Sequence, residues 1–155
     1  MKLHLYIYHC ENCSCHFKAP EVPSFSYGEF LLRSKKQGIE RYLNAFEDST
    51  YSELNNLLKL NPRMTNHKPI QQANVFRKVY GPVVCDPDQY GNAFGIGLSP
   101  ICPKCGSQRM ASWEATDPLE PHIEDIPKVT HVAWNSMGED EKEKKLDKEL
   151  GFLGF

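Results

Sequence analysis

Six cysteines stand at positions 10, 13, 15, 85, 102 and 105, and four of them form two C-x-x-C pairs, Cys10-Glu-Asn-Cys13 and Cys102-Pro-Lys-Cys105. Two residues between thiolates allow a tight turn that aims both sulfurs at one point, about 2.3 Å from a tetrahedral zinc. In the second pair Pro103 fixes φ inside the turn, and Gly106 is free to take a positive φ just after it. Backbone N–H groups of such a turn can stabilise the negative charge on the sulfurs. One pair alone could equally be a redox dithiol. Two pairs, one of them in the form Cys-Pro-x-Cys-Gly, point to a single structural Zn2+ held by Cys10, Cys13, Cys102 and Cys105. Cys85 follows Val83-Val84 and reads as a small buried apolar side chain. Cys15, His9 and His16 flank the first pair, and the spacing leaves open whether any of them joins the metal.

With both pairs in view, the chain resembles a zinc ribbon, in which two knuckles at the tips of two β-hairpins share one metal. The resemblance covers the knuckles and their flanks, within residues 1–18 and 98–116, and implies the same four cysteines as ligands. It departs from a compact ribbon in spacing, because 88 residues separate Cys13 from Cys102. Loop-closure entropy grows only slowly with length, so an insertion of that size is tolerated if it folds on its own account.

These pairs need elements to carry them. Leu3, Leu5 and Ile7 alternate with His4, Tyr6 and Tyr8, the pattern of a half-buried strand entering the first knuckle, with His16-Phe17-Lys18 returning. Pro20 and Pro23 make residues 19–25 a connector. The insertion, about 27–60, reads as a helical hairpin. Ser26-x-x-Glu29 offers a capping box, and Ile39, Tyr42, Leu43 and Phe46 lie on one helical face. Thr50-x-x-Glu53 caps a second helix carrying Tyr51, Leu54, Leu57 and Leu58, which Asn61-Pro62 stops. Residues 63–82 read as a basic surface strand, residues 86–92 as a turn cluster, and 108–113 and 129–134 as strands. Ser136-x-x-Glu139 starts a charged C-terminal helix, about 137–150, with only Met137, Leu146 and Leu150 to bury. The expected architecture is therefore α+β and a single domain over 1–155.

A net charge of −2 conceals an asymmetry: residues 1–60 balance, 61–111 carry +4, and 112–155 carry −6 with eleven carboxylates. Such a division bears on partners, not on fold. The acidic third opposes a phosphate backbone more than Arg63, Lys68, Arg77 and Lys78 attract one, so a basic protein is the expected partner and a nucleic acid the alternative. Glu139, Asp140, Glu143 and Asp147 on the last helix are the candidate contact residues. The chain as a whole also resembles small cytoplasmic bacterial immunity proteins, which neutralise cognate toxins and are often acidic because their nuclease targets are basic.

Catalysis finds little purchase. A four-cysteine zinc has no open position for water. His122-x-Glu124 resembles half of a deaminase motif, but the cysteine pair precedes it instead of following. No Gly-x-Ser-x-Gly, His-Glu-x-x-His or phosphate-binding loop occurs. No apolar run approaches the roughly 20 residues that span a bilayer, and the start lacks a signal-peptide pattern. A non-enzymatic, cytoplasmic protein is expected.

Overall fold

A computed structural model describes residues 3–24 and 26–155. The alternation at the start of the chain forms β1 (His4–Cys10), which pairs antiparallel with β2 (His16–Glu21) in the register His9↔His16 to His4↔Glu21. The strand β6 (Met110–Ala115) pairs with the other side of β1, so the first sheet has the order β2-β1-β6. A bulge between His9 and Cys10 shifts the β1–β6 register at the knuckle end.

The insertion departs from the helical hairpin that its apolar spacing predicts. Residues 27–46 form a β-hairpin, β3 (Glu29–Arg33) and β4 (Glu40–Asn44), extended by the two-residue β5 (Gly95–Ile96) into a second sheet of order β4-β3-β5. Ser26-x-x-Glu29 caps no helix, since Glu29 opens a strand. Ile39 precedes β4, and Tyr42 and Leu43 sit on its opposite faces, Leu43 buried and Tyr42 half-buried, so a short apolar spacing of this kind fits either period. Leu32 packs with the helices, whereas its neighbours Leu31 and Arg33 are buried on the opposite face. Gly38 at φ 76° makes the turn, and Gly28 at φ 71° lies so close to the Phe46 ring that a side chain there would collide with it. The connector is also shorter than expected, because β2 runs through Ala19, Pro20 and Glu21; Phe25 of that segment lies outside the described residues.

Helix α1 (Ser49–Leu60) matches the second predicted helix, though Asp48 and not Thr50 is its cap, accepting the Thr50 N–H at 2.9 Å. The basic segment is helix α2 (Pro69–Val84), not a strand: Pro69 opens it, and Gln71 reaches back to the Lys68 N–H at 2.9 Å. Val75, Phe76, Val79, Tyr80, Val83 and Val84 recur at helical spacing and are all buried. Gly81 and Pro82 in the last turn obscure that period. The predicted strand at 129–134 is instead the short turn α3 (Val132–Asn135), whose Val132 and Ala133 N–H groups donate to Asp86 at 2.8 and 3.0 Å.

The charged helix α4 (Glu139–Phe152) starts at Gly138 without a side-chain cap, so Ser136 does not play the role its position suggests. Gly154 at φ 91° ends it: Phe155 N–H bonds Leu150 O at 3.0 Å and Gly154 N–H bonds Gly151 O at 3.1 Å, a complete Schellman pattern. Leu146 and Leu150 are fully buried against α1 and α2, and Trp134 lies in the same cluster. The architecture is α+β, with two antiparallel three-stranded sheets and the helices packed on the second. Among the described residues, no helix is long and apolar enough to cross a membrane.

Candidate metal centre

The two C-x-x-C turns meet at the end of the first sheet. Cys10 ends β1 and Cys13 lies in the turn to β2; Cys102 and Cys105 lie in the turn that leads through Ser107 to β6. Pairing of β1 with β6 brings the second turn beside the first, 88 residues along the chain. The first turn is the tip of a hairpin. The second is not, because the residues entering it from Leu98 form no strand.

The turns are built alike. Cys10 N–H donates to Cys15 O and Ser14 N–H to Cys10 O, at 2.9 and 3.1 Å. Cys102 N–H donates to Ser107 O and Gly106 N–H to Cys102 O, at 2.8 and 2.9 Å. The left-handed position four residues after the leading cysteine is filled by Ser14 at φ 60° in one and Gly106 at φ 76° in the other. Only the second uses the residue to which that conformation is free of strain.

The four sulfurs lie within 4.8 Å of one another, with Cys10 to Cys105 at 3.5 Å and Cys13 to Cys102 at 3.6 Å. A tetrahedral zinc with bonds of about 2.3 Å places its sulfurs about 3.8 Å apart, so the cage has the size a zinc requires. Cys10 and Cys102 are buried, Cys13 is half-buried and Cys105 exposed, and all six cysteines are free of disulfides.

Proton affinities within the cage are split. The Asn12 side chain and the Ser107 N–H hold Cys105 down to about 6. Burial works against the Cys102 thiolate, but the N–H groups of Cys105 and Lys104 more than offset it and the thiol is lowered. The Cys15 N–H favours the Cys13 thiolate; burial and the three neighbouring sulfurs overcome it and push that thiol up to about 12. Four thiols this close cannot all ionise unless a cation compensates them, and a dication does so. The donor set therefore fits a four-coordinate metal such as zinc.

Cys15 stands outside the cage, its thiol on His16 O at 3.5 Å. His9 and His16 are stacked edge to face on neighbouring strands, and His9 Nε2 lies 3.1 Å from Glu114; neither belongs to the cysteine cluster. Cys85 is buried beside Tyr80, and burial pushes its thiol up to about 12, which makes it inert.

The candidate partner residues lie remote from the cage. Glu139, Asp140 and Glu143 are exposed along the first turns of α4. Asp147 is half-buried and bonded to Arg63 Nε at 2.8 Å, which ties α4 to the end of α1 and holds the Asp147 carboxyl below its usual range. Of the basic residues at 63–80, Arg63 is spent on that pair, and Arg77 sits over the Phe30 ring.

Two polar networks escape a reading by motif. Arg33, 4% exposed, is the seam between the two sheets. It donates to Glu21 at 3.2 Å, Leu98 O at 2.8 Å and Pro20 O, lies 3.6 Å from Glu40, and sits over the buried Tyr8 ring. The second network joins α2 to the loops beneath it. His131 places Nδ1 2.7 Å from Val84 O and Nε2 2.9 Å from Asp48, which also accepts from Tyr80. The two closest partners of the ring, Val84 O and Asp48, accept, and the Tyr80 hydroxyl lies 3.5 Å from Nε2. Burial opposes a charge on the ring, but the Asp48 contact prevails and His131 is raised, while Asp48, despite its own burial, is lowered by His131 and Tyr80. The pair ties the residue before α3 to the cap of α1 and the end of α2.

Compared with known proteins, the chain matches no family model, no curated protein and no solved structure.

Proposed function

We propose that the protein is a non-enzymatic binding module of zinc-ribbon type, in which one structural zinc, held by Cys10, Cys13, Cys102 and Cys105, fixes the end of the β2-β1-β6 sheet. The observation that carries this reading is the convergence of four sulfurs from two distant turns to within 4.8 Å. Bound there, the metal would supply folding energy and no Lewis-acid chemistry, because all four positions are taken by protein thiolates. Elemental analysis of protein purified without added metal tests it, with one zinc per chain expected; a value near zero, or cysteines recovered as disulfides, rejects it.

The partner in this reading is a basic protein, a cognate toxin being the case to which an acidic immunity protein corresponds. Support comes from the exposed Glu139, Asp140 and Glu143 on a helix whose buried side holds only Leu146 and Leu150. Reversing those three to Lys is expected to slow association with such a partner, most at low salt, and to leave zinc content unchanged. Submicromolar binding of RNA at physiological salt would replace this reading with a nucleic-acid one.

A further inference from the structure

The two edges of the first sheet are not equivalent. The β2 edge carries Pro20, which has no N–H to offer, and Lys18 bonded to Glu120 at 2.7 Å. Such features keep an edge from pairing with another strand. The β6 edge carries neither lysine nor proline: Met110-Ala-Ser-Trp-Glu-Ala115 is exposed from Ala111 to Ala115. Among the described residues its outer backbone groups have no hydrogen-bond partner. At its centre Trp113 is 60% exposed, with one flank stacked on Tyr8 at 6.4 Å and the other open.

Charge along this strand is polarised. Lys104 and Arg109 precede it, Arg109 with its side chain 80% exposed and 3.3 Å from the exposed Glu11, and Glu114, 3.1 Å from His9, and Asp117 lie at its C-terminal end, both exposed. An antiparallel neighbour of identical sequence inverts that polarity, so each basic end meets an acidic end, twice by symmetry. A two-fold axis at Trp113 sets the two indoles directly opposite each other and puts Ser112 against Glu114, with no like charges paired. Cross-strand aromatic pairs and opposite charges are the contacts that stabilise such a ladder.

We infer that the free edge of β6 binds a second copy of this chain, antiparallel and centred on Trp113, joining two three-stranded sheets into one of six strands. The contact is self-complementary and closes on itself as a two-fold interface must. One short strand per copy puts it at the small end of specific interfaces, below about 1,200 Å² in total, so the dimer is weak and reads out at high concentration.

The test is sedimentation equilibrium of the zinc-loaded full chain from about 1 μM to 1 mM, a range that covers weak association. Mass is expected to rise from monomer to dimer, with no larger species. Trp113→Ser should weaken association at least tenfold, with circular dichroism and zinc content unchanged. Because Trp113 also touches Tyr8, a charge exchange gives an independent reading: Arg109→Glu weakens the dimer, and Arg109→Glu with Asp117→Arg restores it. A monomer across the whole range, or a dimer indifferent to both Trp113→Ser and Arg109→Glu, overturns the proposal. So does a concentration-dependent mass that climbs past the dimer.

Discussion

Around α2, sixteen buried apolar side chains from Leu32 to Leu150 form one continuous cluster, with Trp134, Tyr80 and Phe94 at its centre. The β2-β1-β6 sheet has nothing comparable: among the described residues Tyr8, Cys10, Ala19 and Pro20 are the buried residues of its strands, with Leu3 just before them. The first region has the dry apolar volume from which a fold draws most of its stability. The second is three short strands with one thin face, too little core to persist alone. What it has instead is the cysteine cage at one end and Arg33 along its side. One chain thus joins two halves of unlike physics, one rich in apolar burial and one with little core, a buried arginine and a cysteine cage of the size a metal requires.

Removing the cage should give the largest effect and the sharpest separation. Cys102→Ser is expected to lose the metal and, with it, protection of the β1, β2 and β6 amides from hydrogen exchange. Structural zinc contributes roughly 10–16 kcal/mol of apparent binding energy in small zinc-finger peptides. The helical signal of α1, α2 and α4 should largely survive; if it collapses together with the sheet, the two halves are one cooperative unit and the comparison fails.

Next in size is the seam. Arg33→Ala leaves Glu21 and Glu40 facing each other, one of them largely buried, and losing one partner of such a cluster costs about 3–5 kcal/mol. Urea unfolding of the metal-loaded chain should show that loss, and Arg33→Lys should recover only part of it, because a single ammonium cannot reproduce the guanidinium's several contacts. Leu54→Ala, at a fully buried site of the apolar half, should cost about 2–5 kcal/mol and leave zinc content at its original value.

The halves should also answer pH in opposite senses. His131 is raised on folding, so its contribution is complete below the unfolded value near 6.5 and fades as pH rises through its folded value. Asp48 is lowered, so its share is present above about 3.9 and fades only in stronger acid. The helical half is thus best supported in mild acid, where protons begin to compete with metal for the thiolates. Following melting of the helices and zinc release separately across pH 4–9 checks this, and His131→Gln should flatten the alkaline decline of the helices alone.

The smallest effect contrasts the two knuckles. Gly106→Ala forces a side chain into the left-handed region and should cost about 1 kcal/mol, while Ser14→Gly relieves that same strain and should be neutral or stabilising by a few tenths. Chelator competition on the two variants measures the difference as metal affinity.

What could be read in the sequence was what short range encodes. Two residues between cysteines fix a turn, and an alternating Leu-x-Leu-x-Ile fixes a strand, so β1, both C-x-x-C turns, α1 and α4 lay open. The β3–β4 hairpin did not, because Leu31-Leu32 is buried on both faces and Ile39, Tyr42 and Leu43 fit either period. Helix α2 hid behind Gly81-Pro82. Arg33 carried no mark at all: its partners lie 12, 7 and 65 residues away, and the β3–β4 register, the approach of β2 and the loop after β5 together bring them to it.

The distance between the knuckles also has a consequence in time. During synthesis at roughly 5–20 residues per second, Cys10 and Cys13 are made some 4–18 s before Cys102 exists. For that interval the nascent chain holds only one of the two C-x-x-C pairs, while β3, β4, α1 and α2, all encoded in between, can already begin to bury their apolar faces. The inserted body thereby shortens the search that joins the knuckles, having condensed the intervening chain before the last two ligands emerge. A metal taken up by all four sulfurs would therefore bind as the closing step, and its capture would report that everything between the two turns has been made.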